Sequence, residues 1–490
     1  KDEQMLTNGS GLSLTEHQNR AWEWWRTTLK SPKRVMAPMV DQSELPFRLL
    51  AREFGADLCY TPMIHARLYG ERDEAARARM VELGTPEDRP LLVQFCGHDP
   101  KVLLEAAKLV EKDCDGVDLN LGCPQGIARK GRYGAYLLEE QELVLEIVRT
   151  MSAGLKVPLT VKIRLLPDKP ATVEYAQRLV AAGASALTVH GRTKDMKAQL
   201  TGCPDWDYVR QVKAAVGVPV IANGGVGCPE DLERCLATTG CDAAMSSEAS
   251  LCSPDVFRPV GAPRTPMDDV AARYLKLMAQ HESRVHLSYK PARAHLFKIL
   301  FAGLQRHPDI RDKLVTTTDI GEMRRITEEL KARRWEAELL ARDPSAWLTA
   351  SWYFRWREGK VENTPDAAGA EGLGGGNDGE NGGACSSGAG ELRDSSGART
   401  VDFYREQLRA AEEEYARANQ ELLAVADGEG PAANKRDRNR VKGRVKRADG
   451  RLSKIRRKIA GMENGDETQG APVGIEANQE APPKRSKVLE

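Results

Sequence analysis

The stretch Val117-Asp-Leu-Asn-Leu-Gly-Cys-Pro-Gln125 ends an apolar strand at Asn120 and then presents Cys123 on a Gly-Pro turn. Backbone between a glycine and a proline cannot continue a strand, so the sulfur is expected to point out of the end of the sheet. In a barrel enzyme, strand ends of this kind carry the reactive groups. The alternative is a buried structural cysteine, which is the commoner fate of a free thiol.

Similar apolar runs recur between Arg34 and about Phe257, and helical stretches separate them. This alternation argues for parallel strands joined by crossover helices. Eight strand-helix units in roughly 220 residues match a closed α/β (β/α)8 TIM barrel. A doubly wound sheet would need fewer strands and a glycine-rich first turn, which residues 37–40 lack. The predicted strands are Arg34 to Val40, Leu58 to Ile64, Leu91 to Cys96, Gly116 to Gly122, Leu159 to Leu165, Ala186 to Arg192, Val218 to Gly225 and Ala243 to Ala249.

The composition limits the compartment and the kinds of site. The 490 residues include 72 basic and 71 acidic side chains, a balance that by itself says nothing about nucleic acid. The ten cysteines form no C-x-x-C pair and have no matching histidine cluster, so neither a zinc site nor a disulfide framework is indicated. Apolar runs stay short of the ~20 residues that cross a bilayer, and the first residues do not open a signal peptide. We expect a soluble protein of the cytoplasm or nucleus, without metal or membrane contact.

Composition also divides the chain. Trp22, Trp24 and Trp25 predict a helix that covers one end of the barrel. Residues 363–400 are dominated by Gly, Ala, Ser, Asn and acidic residues, which bury too little apolar surface to offset chain entropy. The predicted divisions are a helical extension over 1–30, the barrel over 31–260, a helical domain over 261–360, a disordered Gly-rich linker over 361–400, and a charged helical and basic tail over 401–490.

The tail carries a basic cluster between Lys435 and Lys458, interrupted only by Asp437 and Asp449. Its positive field would hold a phosphate backbone through counterion release, although charge runs are usually solvated surface. The shorter cluster at 484–487 could equally be a nuclear import signal.

The polar residues at the strand ends form the candidate site. Lys162 interrupts an apolar strand, and period two places Arg164 on the same face, so two cations would point into the barrel mouth. Asn223-Gly224-Gly225 exposes backbone N–H groups that suit a phosphate. A solvent-facing lysine and a tight turn without ligand are the alternatives.

Two further residues complete the set. Gln94 would supply an amide partner, and His190 would take a cofactor role, the alternative being a satisfied core histidine. Flavin mononucleotide (FMN) satisfies all of these features: a phosphate-binding turn, cations beside a conjugated ring, an amide partner and the Cys123 thiol.

At this point the chain resembles the tRNA-dihydrouridine synthase family, in the eukaryotic branch that modifies positions 16 and 17 of the D-loop. Residues 34 to about 257 carry the resemblance, and the segment with Tyr289-Lys290-Pro291 and Ala292-Arg-Ala-His295 resembles the family's RNA-binding domain. The motifs are Met-Ala-Pro-Met-Val (36–40), Gln94, Asp118 to Gln125, Lys130 with Gly134-Ala135, Val161-Lys-Ile-Arg164, Val189-His-Gly-Arg-Thr193, Gly202 with Trp206, and Ala222-Asn-Gly-Gly225.

The resemblance implies an FMN enzyme that reduces the C5=C6 bond of a uridine in tRNA, with NADPH as the ultimate reductant. Hydride from flavin N5 would reach C6, and Cys123 would protonate C5 as general acid, since a thiol is mostly protonated at neutral pH. The target base must be unstacked, which costs least in a single-stranded loop. The implied partner is tRNA, and we expect a monomer.

The implied roles cover two groups of residues. One departure from the family is Ser246-Ser247-Glu248-Ala249, where many members have a Gly-Arg pair; Glu248 beside a phosphate would be unfavourable unless it points away or pairs with Arg192. The expected flavin-binding residues are Pro38, Met39, Val40, Gln94, Lys162, His190, Asn223, Gly224, Gly225, Ser247 and Glu248. The expected substrate-binding residues are Asn120, Arg164, Arg192, Lys290 and Arg293.

Two other functions stay open at this point. One is a flavin reductase of a free pyrimidine, since related barrels also place a cysteine before proline in this loop. The other is a non-catalytic RNA-binding barrel. The helical domain argues against the first, and the joint presence of Cys123, Lys162 and His190 against the second.

Overall fold

The computed structural model describes residues 13–197, 201–281 and 289–354, with a few single positions between 408 and 445. The chain divides into the units Lys1–Gly372 and Leu373–Glu490, and every strand and helix described below belongs to the first. The predicted linker and tail, with the basic clusters, lie outside the described residues apart from those single positions.

Parallel strands form a single sheet that closes on itself. The hydrogen-bonded order is β1-β9-β8-β7-β6-β5-β4-β2, with β3 paired to β4. A bridge between Val35 and Leu58 joins β1 to the chain just before β2. The strands are β1 (Arg34–Met36), β2 (Cys59–Tyr60), β3 (Ile64–His65), β4 (Leu91–Cys96), β5 (Gly116–Leu121), β6 (Leu159–Leu165), β7 (Ala186–Thr193), β8 (Val220–Asn223) and β9 (Ala243–Ser246).

The predicted (β/α)8 TIM barrel is confirmed, with local differences at two strands. The first predicted strand ends at Met36, before the proline at position 38. The second predicted strand splits into β2 and β3 around Pro62, because proline has no N–H to donate to a neighbouring strand.

Helices surround the barrel and continue beyond it. Those within the barrel region are α1 (Leu14–Thr27), α2 (Leu45–Glu53), α3 (Ala66–Gly70), α4 (Glu74–Ala78), α5 (Pro100–Lys108), α6 (Gly126–Gly131), α7 (Gln141–Gly154), α8 (Lys169–Ala182), α9 (Trp206–Ala215) and α10 (Pro229–Thr239). Short 3-10 helices cover Pro86–Asp88, Glu111–Asp113, Gly134–Glu139 and Pro254–Phe257. The C-terminal helices are α11 (Met267–Gln280), α12 (Tyr289–Ile299), α13 (Phe301–Arg306), α14 (Pro308–Thr316), α15 (Ile320–Ala332), α16 (Trp335–Arg342) and α17 (Ala346–Thr349).

Helix α1 covers the amino-terminal end of the barrel. It begins with a capping box in which the Ser13 side chain accepts from the Glu16 N–H and the Glu16 carboxylate accepts from the Ser13 N–H. Trp24 and Trp25 pack against interior residues at the start of the strands, in a cluster with Leu92, Ile221 and Ala243. The opposite end, where the strands finish, is therefore the one left for a site.

The C-terminal helices are joined to the barrel through buried polar contacts. The Glu44 carboxylate, at the start of α2, accepts a hydrogen bond from the Tyr274 hydroxyl of α11 at 2.8 Å. It also lies 3.1 Å from His295 Nε2 of α12, and the His295 ring stacks on Phe47. Among the described residues, no helix is both long and apolar enough to cross a membrane.

Candidate active site

The carboxyl ends of five adjacent strands bring the predicted polar residues into one ring. Alternation places Gln94, Asn120, Lys162, His190 and Asn223 on the inner face, while their neighbours pack outward in the main core. The register pairs Asn120 with Lys162, and His190 with Asn223, across neighbouring strands. The barrel mouth is thus lined by amides, an ammonium and an imidazole.

Cys123 lies on a loop that is fixed from two sides. The Asn120 Oδ1 accepts from the N–H groups of Gly122 and Cys123 at 3.2 and 3.0 Å. On the other side, the Cys123 carbonyl accepts from the Ala135 N–H at 3.1 Å. Gly134 adopts φ +68, and a Cβ there would lie 2.7 Å from the Cys123 carbonyl oxygen. The half-buried thiol is therefore presented by a backbone with little freedom.

A buried polar network lies below this loop. The Asp118 carboxylate accepts from the Thr160 hydroxyl at 2.5 Å and from Gln94 Nε2 at 2.7 Å. The Asn120 Nδ2 then donates to Gln94 Oε1 at 2.8 Å. Burial raises the pKa of Asp118 to about 7, against the lowering effect of these hydrogen bonds.

Lys162 is a buried cation with spare donors. Within the described part of the chain, its Nζ donates one hydrogen bond, to Asn223 Oδ1 at 2.8 Å. Burial, and next the neighbouring Arg164 charge, lower the pKa of Lys162 to about 8. An ammonium has three N–H groups, so donors remain for a ligand in the mouth. This donor set fits an electron-rich flavin ring.

Arg164 shares the inner face with Lys162, but its guanidinium is engaged by the protein itself. It donates to the Gly122 carbonyl at 2.8 Å and to the Thr193 carbonyl at 2.9 Å. Burial, then the Arg192 charge, lower the pKa of Arg164 to about 10. Arg164 thus ties the Cys123 loop to the end of β7.

The glycine turn after β8 is required by close packing. Gly224 and Gly225 have φ +102 and +80, in the left-handed region. A Cβ on Gly224 would lie 2.7 Å from His190 Cδ2, and one on Gly225 would lie 2.7 Å from Pro204 Cγ. The Trp206 indole Nε1 donates to the Gly224 carbonyl at 2.9 Å and fixes the turn.

His190 lies 3.1 Å from the Arg192 guanidinium, through its Nε2. Because a guanidinium only donates, this nitrogen accepts and the ring proton belongs on Nδ1. Arg192 also donates to the Gly202 carbonyl at 3.1 Å. This pair forms the wall between Lys162 and the glycine turn.

A cavity of about 220 Å³ opens beside His190, Arg192 and the glycine turn, and Cys123, Lys162, Gln94 and Asn120 are not among the residues that line it. Its wall includes the half-buried Ser247 and the exposed Glu248 of the β9 loop. Tyr353, from the segment after α17, packs with Ala249 and Cys252 and closes the same side. Other residues that line it are Pro124, Gln125, Arg164, His190, Arg192, Met196, Lys197, Thr201, Asn223, Gly224, Gly225, Val226 and Met245.

The remaining predicted residues are placed differently. Pro38, Met39 and Val40 follow β1; the Met39 backbone bonds the Ser43 hydroxyl, and Val40 is 54% exposed. Lys290 and Arg293 lie on α12, and neither lines the cavity. Arg293 donates to the Val315 carbonyl at 2.6 Å, so this side chain links α12 to α14.

Asp118 and Tyr353 are among the residues of the site that had no role in the sequence analysis. Asp118 belongs to the same stretch as Cys123, and its spacing from Asn120 already placed both on one strand face. Tyr353 joins the cavity through tertiary packing alone, and no local pattern indicates it.

Comparisons with known proteins identify the family of the chain. Residues 35–332 match the family model described as Dihydrouridine synthase (Dus). A Mus musculus protein named tRNA-dihydrouridine(16/17) synthase [NAD(P)(+)]-like is 44% identical over 315 residues, covering 64% of this chain and 65% of that protein. The chain therefore spans just under two thirds of that relative's length.

Two other relatives mark the breadth of the likeness. The tRNA-dihydrouridine(16/17) synthase [NAD(P)(+)] of Schizosaccharomyces pombe is 41% identical over 317 residues, covering 63% of this chain and 79% of that protein. The human tRNA-dihydrouridine(20a/20b) synthase [NAD(P)+]-like protein is 37% identical over 238 residues, covering 48% and 73%.

Proposed function

Because the chain belongs to the dihydrouridine synthase family, we propose that it reduces the C5=C6 bond of uridine in the D-loop of tRNA, at positions 16 and 17, with NADPH as reductant. The observation that carries the proposal is that the Cys123 loop, Lys162 and the glycine turn belong to the same end of the barrel, where Lys162 Nζ bonds Asn223 and Arg164 holds the loop at Gly122. The position is supported by the names of the mouse and fission-yeast relatives.

The cofactor proposed for the mouth is FMN, which when bound supplies the reducing equivalents for the C5=C6 bond. Lys162 would contact its ring system, and Gln94 and His190 would flank the ring. The N–H groups of the turn at Gly224 and Gly225 would hold the phosphate, with Ser247 at the edge of the cavity. Glu248 is exposed and lines the same cavity, so a phosphate there would have this carboxylate nearby.

Cys123 holds the proton that the reaction requires. When C6 of the uridine gains a hydride equivalent, negative charge builds on the C4 carbonyl. The neighbouring carbon, C5, must then receive a proton. The Cys123 Sγ is the titratable group that its loop presents at the mouth, and it acts as general acid. Arg164 ties that loop to β7 and so limits the movement of the backbone that carries the thiol.

The substrate requires a base to enter the barrel mouth. A uridine in a loop is unstacked at lower cost than one in a duplex, so the D-loop suits this site. Outside the cavity, tRNA would be contacted by Lys290, by Arg293 and by the basic cluster of the tail. We further propose a monomer that acts in the cytoplasm, the nucleus or both.

The test uses full-length protein and tRNA transcripts. We expect a yellow protein that forms dihydrouridine at positions 16 and 17 with NADPH, and no product when Cys123 is replaced by alanine. A matched control is Cys203→Ala, which removes an exposed cysteine. Reduction of free uracil with no reaction on transcripts would support a pyrimidine reductase instead, and a protein that takes up no flavin would support a non-catalytic barrel.

A further inference from the structure

Asp118 is a fully buried acid with no part in the chemistry proposed above. Its two carboxylate oxygens meet two different donors, the Thr160 hydroxyl and Gln94 Nε2. Gln94 is 0% exposed and Thr160 is 1% exposed. A polar group in such surroundings must find its partners within the protein, so the identity of each partner is fixed.

The hydrogen bonds from Asp118 have a direction. A side-chain amide has a donor end and an acceptor end, and Asp118 binds the donor end of Gln94. The acceptor end of Gln94 therefore faces Asn120, which must present its own NH2 group. That choice turns Asn120 Oδ1 toward the N–H groups of Gly122 and Cys123.

We propose that Asp118 is a positioning residue that fixes the direction of the Gln94 and Asn120 amides and, through them, the backbone that presents Cys123. The role assigned to Cys123 rests on the proposed function. This chain of hydrogen bonds, the relay, is a property of the fold. If the Gln94 amide were reversed, its NH2 group would face the NH2 group of Asn120. If Asn120 then reversed as well, its NH2 group would face two backbone N–H donors.

The relay does not depend on a negative charge. A protonated Asp118 can donate to the Thr160 hydroxyl and still accept from Gln94, because a hydroxyl both donates and accepts. Asparagine at position 118 would do the same, with its NH2 toward Thr160. Leucine at position 118 supplies no acceptor. When Asp118→Asn is combined with Thr160→Val, the new NH2 group loses the Thr160 hydroxyl as acceptor, and turning toward Gln94 would reverse the amides.

The experiment compares four variants: Asp118→Asn, Asp118→Leu, Thr160→Val and the double variant Asp118→Asn/Thr160→Val. Alkylation of Cys123 by iodoacetamide, followed by peptide mass spectrometry, reports how firmly the loop is held. Dihydrouridine yield and the visible flavin spectrum are measured on the same samples. Urea unfolding identifies any variant that does not fold.

We expect Asp118→Asn and Thr160→Val each to stay within about threefold of wild type for alkylation and for product. Asp118→Leu and the double variant should alkylate faster and form product more slowly, each by roughly 10- to 100-fold, as expected when a buried donor loses its acceptor. The double variant keeps the core volume, so it decides the matter if Asp118→Leu does not fold.

Two results would overturn the relay. One is an additive double variant, whose alkylation stays near that of the single variants. The other is an Asp118→Asn variant as impaired as Asp118→Leu, which would mean that charge and not direction matters. If wild type makes no dihydrouridine, the proposed function fails, yet the alkylation rates still decide the relay.

Discussion

Replacing Lys162 by methionine should stabilise the protein without flavin while it weakens flavin binding. Methionine keeps most of the volume of the side chain but removes the charge that burial opposes. The same ammonium has N–H donors left for a ligand after its bond to Asn223. The substitution therefore separates two effects of the lysine: the loss in free energy of unfolding that it causes in the apoprotein, and the affinity for flavin that it provides.

The magnitude follows from the pKa of Lys162, which burial lowers from 10.5 to about 8. At about 1.4 kcal/mol per pKa unit, the charged form costs roughly 3 kcal/mol in the folded state. The variant leaves Asn223 Oδ1 without the Nζ donor, which offsets about 1 kcal/mol. The apoprotein should gain about 2 kcal/mol at pH 7.

The gain should depend on pH in a defined direction. Below pH 8 the lysine is charged in both the folded and the unfolded state, so the whole cost is present. Between pH 8 and 10.5 the folded state releases the Lys162 proton first, so the wild type gains stability relative to the variant as pH rises. Above that range the wild type should be the more stable by about 1 kcal/mol, the worth of the lost hydrogen bond.

Urea unfolding of both apoproteins at several pH values between 6.5 and 10.5 measures this difference. Flavin titration of the same samples by fluorescence measures the loss of affinity. A variant that is less stable than wild type at pH 7, or a difference that stays constant across the range, would refute the assignment of Lys162 as a costly buried cation.

Three further substitutions and one deletion test other parts of the molecule. Cys123→Ala should keep flavin and tRNA binding but lose nearly all dihydrouridine by nucleoside mass spectrometry; a normal yield would remove the thiol from the chemistry. Trp206→Phe breaks the bond to the Gly224 carbonyl, worth about 1 kcal/mol, and should weaken flavin binding roughly fivefold in a titration, whereas an unchanged Kd would contradict that role. The pKa of Asp118 is raised from 3.8 to about 7, so the contribution of Asp118 to wild-type stability should fall as pH rises from 4 to 7; Asp118→Asn should gain up to about 4 kcal/mol on wild type in urea unfolding over that range, and a gap that stays level would argue against it. Deleting residues 431–490 should weaken tRNA binding and flatten its salt dependence while flavin stays bound; an unaltered salt slope would assign the tail elsewhere.

The sequence predicted the barrel because its strands are continuous apolar runs at regular spacing. Such runs are what a parallel sheet covered on both faces requires. The error at the second strand came from Pro62, whose effect on pairing depends on which neighbour it meets. The sequence could also place Lys162 and Asn120 on the inner face, since alternation along a strand is local.

Contacts between segments that are far apart along the chain could not be predicted from local sequence patterns. The substrate role of Arg164 stays a prediction, but its guanidinium also bonds the carbonyls of Gly122 and of Thr193 at the end of β7, and nothing in its own strand indicates those acceptors. Arg293 likewise bonds the end of α14. The orientation of the Gln94 and Asn120 side-chain amides depends on Asp118 and Thr160 together. These residues lie on three different strands, so the orientation is defined only when the three strands pair in register.

The position of Tyr353 has a consequence for how the protein is made. This residue completes the wall beside Ser247, although the barrel itself ends near Phe257. At about 5–20 residues per second, a ribosome adds the intervening hundred or so residues over several seconds. During that interval the cavity beside Ser247 lacks the part of its wall that Tyr353 supplies, so the complete wall forms only after the last helices have emerged and docked.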